Sequence, residues 1–411
     1  MKVLLINNCF FRRGGSEAVF FGTADLLKEM GHEVVFFSIE DDHNIHTNFP
    51  EYFVRRGGKF SQIKDFFSNK KAAQKLEEIL EKEKPDIAHV HLFWGGISPS
   101  IFKVLHNHGV PLVHTAHDYR MVCPAYLLTD GTGQYCARCI GGRFYNCALH
   151  KCSKGSVVES TLLAVEMYYR NRKWHPAKEI DGILFVSNFS KQKHLEFDRR
   201  LDNVKTMVLY NCPGKKVKDS LCLTQNTFDS YYLFYGRLSE EKGVPTLLKA
   251  FEKFPQLKMK VVGTGPLEES LKNFCNEKGL GNVEFLGYKS GKELFDLVAG
   301  AKYVCVPSEC YENNPMTIVE AYSLATPVIG AAIGGISEIV ADGNTGYTFE
   351  SGNTDSLIAV LDKASSLGQE DYVNQKKAAY QFAQENFSRE KHLERLLGFY
   401  EMIINNKERI K

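Results

Sequence analysis

No stretch of this chain approaches the roughly 20 consecutive apolar residues that a bilayer-spanning helix needs. The apolar opening, Met1–Cys9, is too short for a secretory signal and leads to no cleavage site, so it reads as a buried first strand. A cytoplasmic protein is expected from these two absences. A dominant charge sign is missing as well: 51 Lys and Arg stand against 49 Asp and Glu, and no nucleic-acid partner is expected. The cysteines number 11, an odd count scattered along the chain, which argues for reduced thiols over a disulfide framework. What remains is ordinary globular material. The 411 residues are 44% hydrophobic and 24% charged, enough for two domains of roughly 200 residues each.

Strand and helix patterns alternate through both halves. In the first, strands are predicted at Lys2–Asn8, Glu33–Ser38, Asp86–His91, Leu112–Ala116 and Gly182–Val186. Helices are predicted at Glu17–Met30, Ala72–Lys84, Pro99–Asn107 and from Asn188 onward. Alternation of this kind means parallel sheets covered on both faces, with ligands at the carboxyl ends of the strands. The pattern repeats from Tyr231 to about Phe382, after a polar, irregular linker over roughly residues 198–229, and an amphipathic helix closes the chain at His392–Lys411. The expected division is residues 1–205, with an insert at 120–155, then 206–388 and a terminal helix at 389–411.

The richest segment is Val304–Ala325, V-C-V-P-S-E-C-Y-E-N-N-P-M-T-I-V-E-A-Y-S-L-A. It reads as a strand, a polar loop and a helix, with Asn314 as N-cap and Pro315 at the first helical position. Such a helix start suits an anion, for instance a phosphate. Glu312 and Glu320 bracket that start, and carboxylates beside a phosphate make sense if they accept hydrogen bonds from hydroxyls on either side of it. Two solvated acids on a capped helix would be the plainer explanation. Upstream, Phe234–Gly243 (F-Y-G-R-L-S-E-E-K-G) places Arg237 and Lys242 after a strand-end glycine, where they can converge on a diphosphate. Val261–Pro266 (V-V-G-T-G-P) adds a second glycine-bearing turn, weak by itself but informative in this order.

With these segments in sequence the chain resembles the retaining glycosyltransferases of family 4, built on the GT-B fold. The matching residues are Gly236, Arg237, Glu241, Lys242 and Gly243, then Gly263, Gly265, Phe285 and Gly287, then Pro307, Ser308, Glu312, Glu320, Ala321 and Thr326–Gly330. In the first half they are Gly14, Gly15, His117, Asp118, Ser187 and Asn211. The loop Asn313–Met316 departs from the Gly-Phe-Gly type found in many members, which bears on donor identity. The resemblance implies an α/β fold of two Rossmann-like parallel-sheet domains with the active site in the cleft between them. It also implies a terminal helix that crosses back to the first domain.

The implied reaction moves a hexose-type sugar from a nucleotide diphosphate sugar to a saccharide or lipid-linked acceptor, as in bacterial polysaccharide, O-antigen or capsule synthesis. His117, Arg237, Lys242 and Glu312 are its implied catalytic residues. His117 would position the sugar, and the two cations would stabilise the departing phosphate, which itself assists deprotonation of the incoming hydroxyl. Gly14, Gly15, Gly236, Gly263, Gly265, Asn313, Asn314, Pro315, Met316, Thr317 and Glu320 are the implied donor-binding set. Glycines there let backbone approach a diphosphate, and Ser16 is expected to cap the helix opening at Glu17. No cofactor is needed for catalysis. The alternatives are an epimerase or phosphorylase on the same fold, or a non-catalytic sugar-nucleotide-binding protein.

Two features of the first half stand outside this set. Cys123, Cys136, Cys139, Cys147 and Cys152 crowd one insert, with Cys136 and Cys139 at C-x2-C spacing. They can enclose a structural zinc, remain free thiols or form a redox pair. The following stretch, Val157–Trp174, is apolar and ends in aromatics and cations, so it reads as a core helix or as one touching an anionic membrane. Residues 1–200 hold 27 Lys and Arg against 22 Asp and Glu, a mildly basic half that suits anionic headgroups or a lipid-linked diphosphate. Ordinary scatter explains an excess of that size equally well.

Overall fold

The computed structural model of the protein describes residues 1–214, 227–228 and 230–408. Contacts divide it into two compact units: Met1–Leu209 together with His392–Lys411, and Tyr210–Lys391.

The first unit is built on six parallel strands: β1 (Lys2–Ile6), β2 (Glu33–Phe37), β3 (Ile87–Val90), β4 (Leu112–Ala116), β5 (Gly182–Phe185) and β6 (Lys205–Val208). Their order is β2-β1-β3-β4-β5-β6. Strands β3, β4 and β5 are buried along their whole length, as expected of parallel strands with helices on both faces. Strand β6 was not foreseen, because its outer position leaves it only half-buried and its K-T-M-V sequence lacks an apolar run. It falls inside the expected linker, whose residues 215–226 and 229 lie outside the described residues. The terminal helix, Arg389–Glu408, packs its later turns into this unit. Gly182 is glycine for that reason: a Cβ would stand 2.8 Å from atoms of Phe399 and Ile403.

In the second unit the strands are β7 (Tyr231–Tyr235), β8 (Met259–Val262), β9 (Val283–Gly287), β10 (Ala301–Val306), β11 (Val328–Ala331) and β12 (Gly346–Phe349), ordered β12-β11-β10-β7-β8-β9. The chain winds outward from β7 to β9, crosses back to β10 beside β7, and winds outward the other way. The reversal between β7 and β10 opens a crevice at their carboxyl ends, the place where open α/β sheets bind ligands. Apolar layers lie on both faces: Tyr232, Tyr303, Ile329 and Leu247 on one, Leu233, Val304, Ile318 and Tyr322 on the other. In the first unit the same reversal falls between β1 and β3.

Candidate active site

Two loops of the second unit meet at that crevice, Gly236–Gly243 after β7 and Pro307–Pro315 after β10. They are tied by Glu309 N donating to the Glu241 carbonyl at 2.9 Å and by Thr246 Oγ1 donating to Glu309 Oε1 at 2.6 Å. The turn after β8 packs against the first of them. Gly263 adopts φ 130° and a Cβ there would lie 1.9 Å from the Gly236 carbonyl oxygen; at Gly265 it would lie 2.3 Å from that of Leu238. These two glycines were expected to admit a ligand. Their missing side chains make room for the protein's own neighbouring loop, on which Arg237 stands with its side chain exposed.

Lys242 ends a short 3-10 turn and its Nζ donates to Glu312 Oε1, which also accepts from Ser308 Oγ at 3.1 Å. Burial disfavours the ammonium, but Glu312 outweighs it and the Lys242 pKa is raised. The Glu312 backbone is fixed in turn, its carbonyl accepting from Gly335 N at 2.7 Å. Lys242 and Glu312, expected at one diphosphate–sugar end, are thus brought into direct contact.

The helix after this loop begins at Met316, one residue later than predicted, and Pro315 occupies the cap position at ψ 128°. Asn314 does not cap it. Its Oδ1 accepts from Asn211 N at 2.7 Å and its carbonyl from Asn211 Nδ2 at 2.9 Å, so both asparagines serve to anchor the loop. Asn313 beside it is buried. Tyr235, at the end of β7, donates its hydroxyl both to the Thr317 carbonyl, 2.9 Å away, and to Glu320 Oε2, 3.1 Å away. Burial pushes the Glu320 carboxyl up to about 7, against the opposing effect of the Tyr235 hydrogen bond. Tyr235 was not singled out from sequence, although its place at a strand end two residues before Arg237 was a signal.

In the first unit His117 follows β4. Its Nε2 lies 2.8 Å from His91 Nδ1, and the rings stack at 5.0 Å. Burial lowers the His117 pKa to about 4 and that of His91 well below the ordinary value, so both rings are neutral near pH 7. His91 Nε2 is buried without a hydrogen-bond partner. Orphaned buried N–H groups are rarer than unsatisfied acceptors, so the tautomer with His91 Nδ1 as donor and His117 Nε2 as acceptor is the one that strands no N–H at His91 Nε2. Behind them His89 bonds Tyr400 Oη at 2.6 Å and Thr115 Oγ1 at 2.7 Å. The H-x-H spacing of His89 on β3 and His91 just past its end was the signal available for this layer. Asp118 turns away, accepting from Arg120 N at 2.8 Å.

The remaining expectations divide. The first helix runs Gly15–Glu29 with Gly14 at its cap and no side-chain cap, so Ser16 lies inside the first turn and donates to Glu17 Oε2 at 3.1 Å. A Cβ on Gly14 would meet only the Glu17 carboxylate, at 3.6 Å, so nothing within the protein demands glycine there. Ser187 caps the helix Asn188–Phe197, accepting from Ser190 N at 3.0 Å. Among the described residues no group of three or more His, Cys, Asp or Glu is arranged to hold a metal. The Cys147 and Cys152 thiols hydrogen-bond to each other and Cys136 Sγ accepts from Arg138 Nη1 at 3.5 Å, while Cys123 and Cys139 stay buried as free thiols.

Comparison with known proteins bears on the domains and the fold. Residues 13–212 match Glycosyltransferase Family 4 and residues 223–382 match Glycosyl transferases group 1. The chain carries one domain of each type on a GT-B fold. An uncharacterized glycosyltransferase of Methanocaldococcus jannaschii is 31% identical over 43% of this chain and 47% of its own. The D-inositol 3-phosphate glycosyltransferase of Corynebacterium aurimucosum is 27% identical over 67% of this chain and 63% of its own. The chain thus spans about half to two thirds of the length of these curated relatives. Among solved structures, sucrose-phosphate synthase of Thermosynechococcus elongatus superimposes with TM-score 0.71 at 18% identity, covering 98% of this chain and 99% of that one. HepE of Anabaena, in complex with UDP and glucose, gives 0.63 at 17% identity over 98% and 99%.

Proposed function

We propose that this protein is a retaining glycosyltransferase, moving a hexose-type sugar from a nucleotide diphosphate sugar to a saccharide or lipid-linked acceptor in cell-surface polysaccharide synthesis, at the inner face of the cell membrane. The observation that carries this reading is the Lys242–Glu312 pair standing at the β7/β10 reversal, one loop away from the Tyr235–Glu320 contact. Arg237 and Lys242 receive the diphosphate, Glu320 accepts from the ribose hydroxyls, and Glu312 from the hydroxyls of the sugar. That HepE on the same fold was captured with UDP and glucose supports a nucleotide-sugar donor.

In the reaction the bond from anomeric carbon to phosphate oxygen breaks and its electron pair stays on the phosphate. The acceptor hydroxyl oxygen bonds that carbon on the same face and its proton passes to the leaving phosphate. Lys242 and Arg237 stabilise the charge that grows there, which is why we assign catalysis to these side chains and to no metal. His117, neutral and accepting from His91 through Nε2, carries its proton on Nδ1 and orients the sugar as a hydrogen-bond donor.

Binding of a panel of UDP-, GDP- and other nucleotide sugars, followed by NMR of the product, tests this reading. One donor should yield product with its anomeric configuration kept, and EDTA should leave transfer intact. An inverted centre refutes the retaining assignment. Release of sugar phosphate on adding inorganic phosphate would favour a phosphorylase.

A further inference from the structure

The helix Val157–Lys173 is built inside out. Its inward face carries charge: Glu166 Oε2 accepts from Arg120 Nη2 at 3.0 Å, Glu166 Oε1 pairs with Arg170 Nε at 3.2 Å, and the Arg170 guanidinium lies 4.1 Å from the centre of the Trp94 ring. Its outward face carries Val158, Leu162, Val165 and Tyr168, spaced three and four residues apart and therefore in one stripe. Val158 is 79% exposed and Val165 50%. A water-facing helix ordinarily shows the reverse pattern.

A second short helix, Tyr145–Leu149, widens the stripe. Tyr145 N donates to Tyr168 Oη at 3.2 Å and Ser153 N to Ser160 Oγ at 3.0 Å, so the segment runs antiparallel along the long helix. Leu149, between those two contacts, is 69% exposed, and Tyr145 52%. Apolar surface of this extent on one face marks an interaction site.

Cations predominate around it. Arg143, Lys151, Lys154, Arg172 and Lys173 are exposed. Within Gly141–Trp174 the acids are Glu159, paired with Lys154 at 3.4 Å, and the buried Glu166. Aliphatic side chains and tyrosines rimmed by an excess of cations are what an anionic lipid surface selects: acyl chains take the stripe and headgroups take the rim. A protein partner built on the same logic would need acids ringing an apolar core.

We propose that the outward face of Val157–Lys173, with Tyr145 and Leu149, seats this protein on a bilayer containing anionic phospholipid. The proposal does not depend on the sugar-transfer reading.

The test is co-sedimentation of the full chain with phosphatidylcholine vesicles, with and without phosphatidylglycerol. Wild type should pellet with the anionic vesicles only, and less so as salt rises. Arg172→Gln with Lys173→Gln should weaken partitioning by roughly 25-fold, about fivefold for each cation removed. Val158→Glu with Val165→Glu should weaken it at least tenfold while leaving the thermal unfolding temperature in place, since both side chains already face water. Equal binding to neutral and anionic vesicles, or wild-type partitioning by both double variants, overturns the proposal. So does a concentration-dependent dimer in sedimentation velocity that Val158→Glu with Val165→Glu dissolves while vesicles bind nothing, because the stripe would then cover a second copy.

Discussion

Replacing Glu320 by glutamine should make the protein more stable at pH 8 and a poorer nucleotide binder. In the folded chain the carboxyl is raised from 4.5 to about 7 by burial, so between these values the native state holds a proton that the unfolded chain has released. Stability contributed by this group therefore falls as pH rises from about 4.5 to 7, and above 7 the folded protein carries a desolvated carboxylate. At 1.36 kcal/mol per pH unit the burden at pH 8 is about 3 kcal/mol, an upper value because part of the side chain still meets solvent; at pH 5 it is under about 1 kcal/mol. Glutamine keeps the size and can still accept from the Tyr235 hydroxyl. In a unit the size of Tyr210–Lys391, Glu320→Gln should raise Tm by roughly 5–10 °C at pH 8 and by far less at pH 5, read by scanning calorimetry. Titration with UDP supplies the other half. If the ribose needs the carboxylate, wild-type affinity should drop about tenfold from pH 8 to pH 6 beyond any drop in Glu320→Gln, following the ionised fraction of a group at 7. The nucleotide's own phosphate titration is common to both proteins and cancels. A variant destabilised at pH 8, or one whose Tm shift is the same at both pH values, refutes the idea of a desolvated Glu320.

Arg237→Ala and Lys242→Ala should each lower kcat by roughly 10²-fold in steady-state assays, and near-normal turnover in both would overturn their assignment to the diphosphate. For His91, 15N NMR should show His117 as the Nδ1–H tautomer at pH 7; His91→Phe should change the His117 Nε2 shift and lower kcat more than it raises KM, whereas His91→Gln, which can still donate, should recover part of the loss.

The residues that touch backbone-dictated features were legible in the sequence; those whose role depends on a distant partner were not. The sheets could be read because buried parallel strands such as L-V-H-T-A and V-C-V are nearly continuous apolar runs, and β6 was missed because an outer strand need not be. Arg237, Lys242 and Glu312 were singled out from their place after strand ends, and Glu320 from the helix that follows. Their pairing could not be, since Lys242 and Glu312 meet only when a parallel crossover sets β10 beside β7. Asn314 shows the same limit in reverse. It is a good helix cap by local propensity, yet Asn211, 103 residues away, claims its side chain. The thiols of the insert illustrate a third limit, because C-x2-C spacing fixes which sulfurs lie close in sequence and says nothing of where Cys136 points; here it turns to Arg138.

The two acidic ends of the crevice differ in what they need from a ligand. Burial holds Glu320 at a pKa near neutrality against the opposing Tyr235 hydrogen bond, with no cation beside it, so hydroxyls that reach it satisfy a carboxylate otherwise short of partners. Glu312 already has an ammonium and a hydroxyl on it. An ammonium has three donors, and Lys242 can keep Glu312 while it turns a second proton toward phosphate; Glu312 then holds Lys242 in place more than it competes for it. On this view the ribose end sets how tightly the nucleotide is held. The Lys242–Glu312 end sets how well the departing charge is met, because a cation fixed before the bond breaks need not reorganise as charge develops. The proposed function therefore expects affinity and turnover to separate between one helix and one loop, with Tyr235 and Ser308 as the hydroxyls bonded to the two carboxylates.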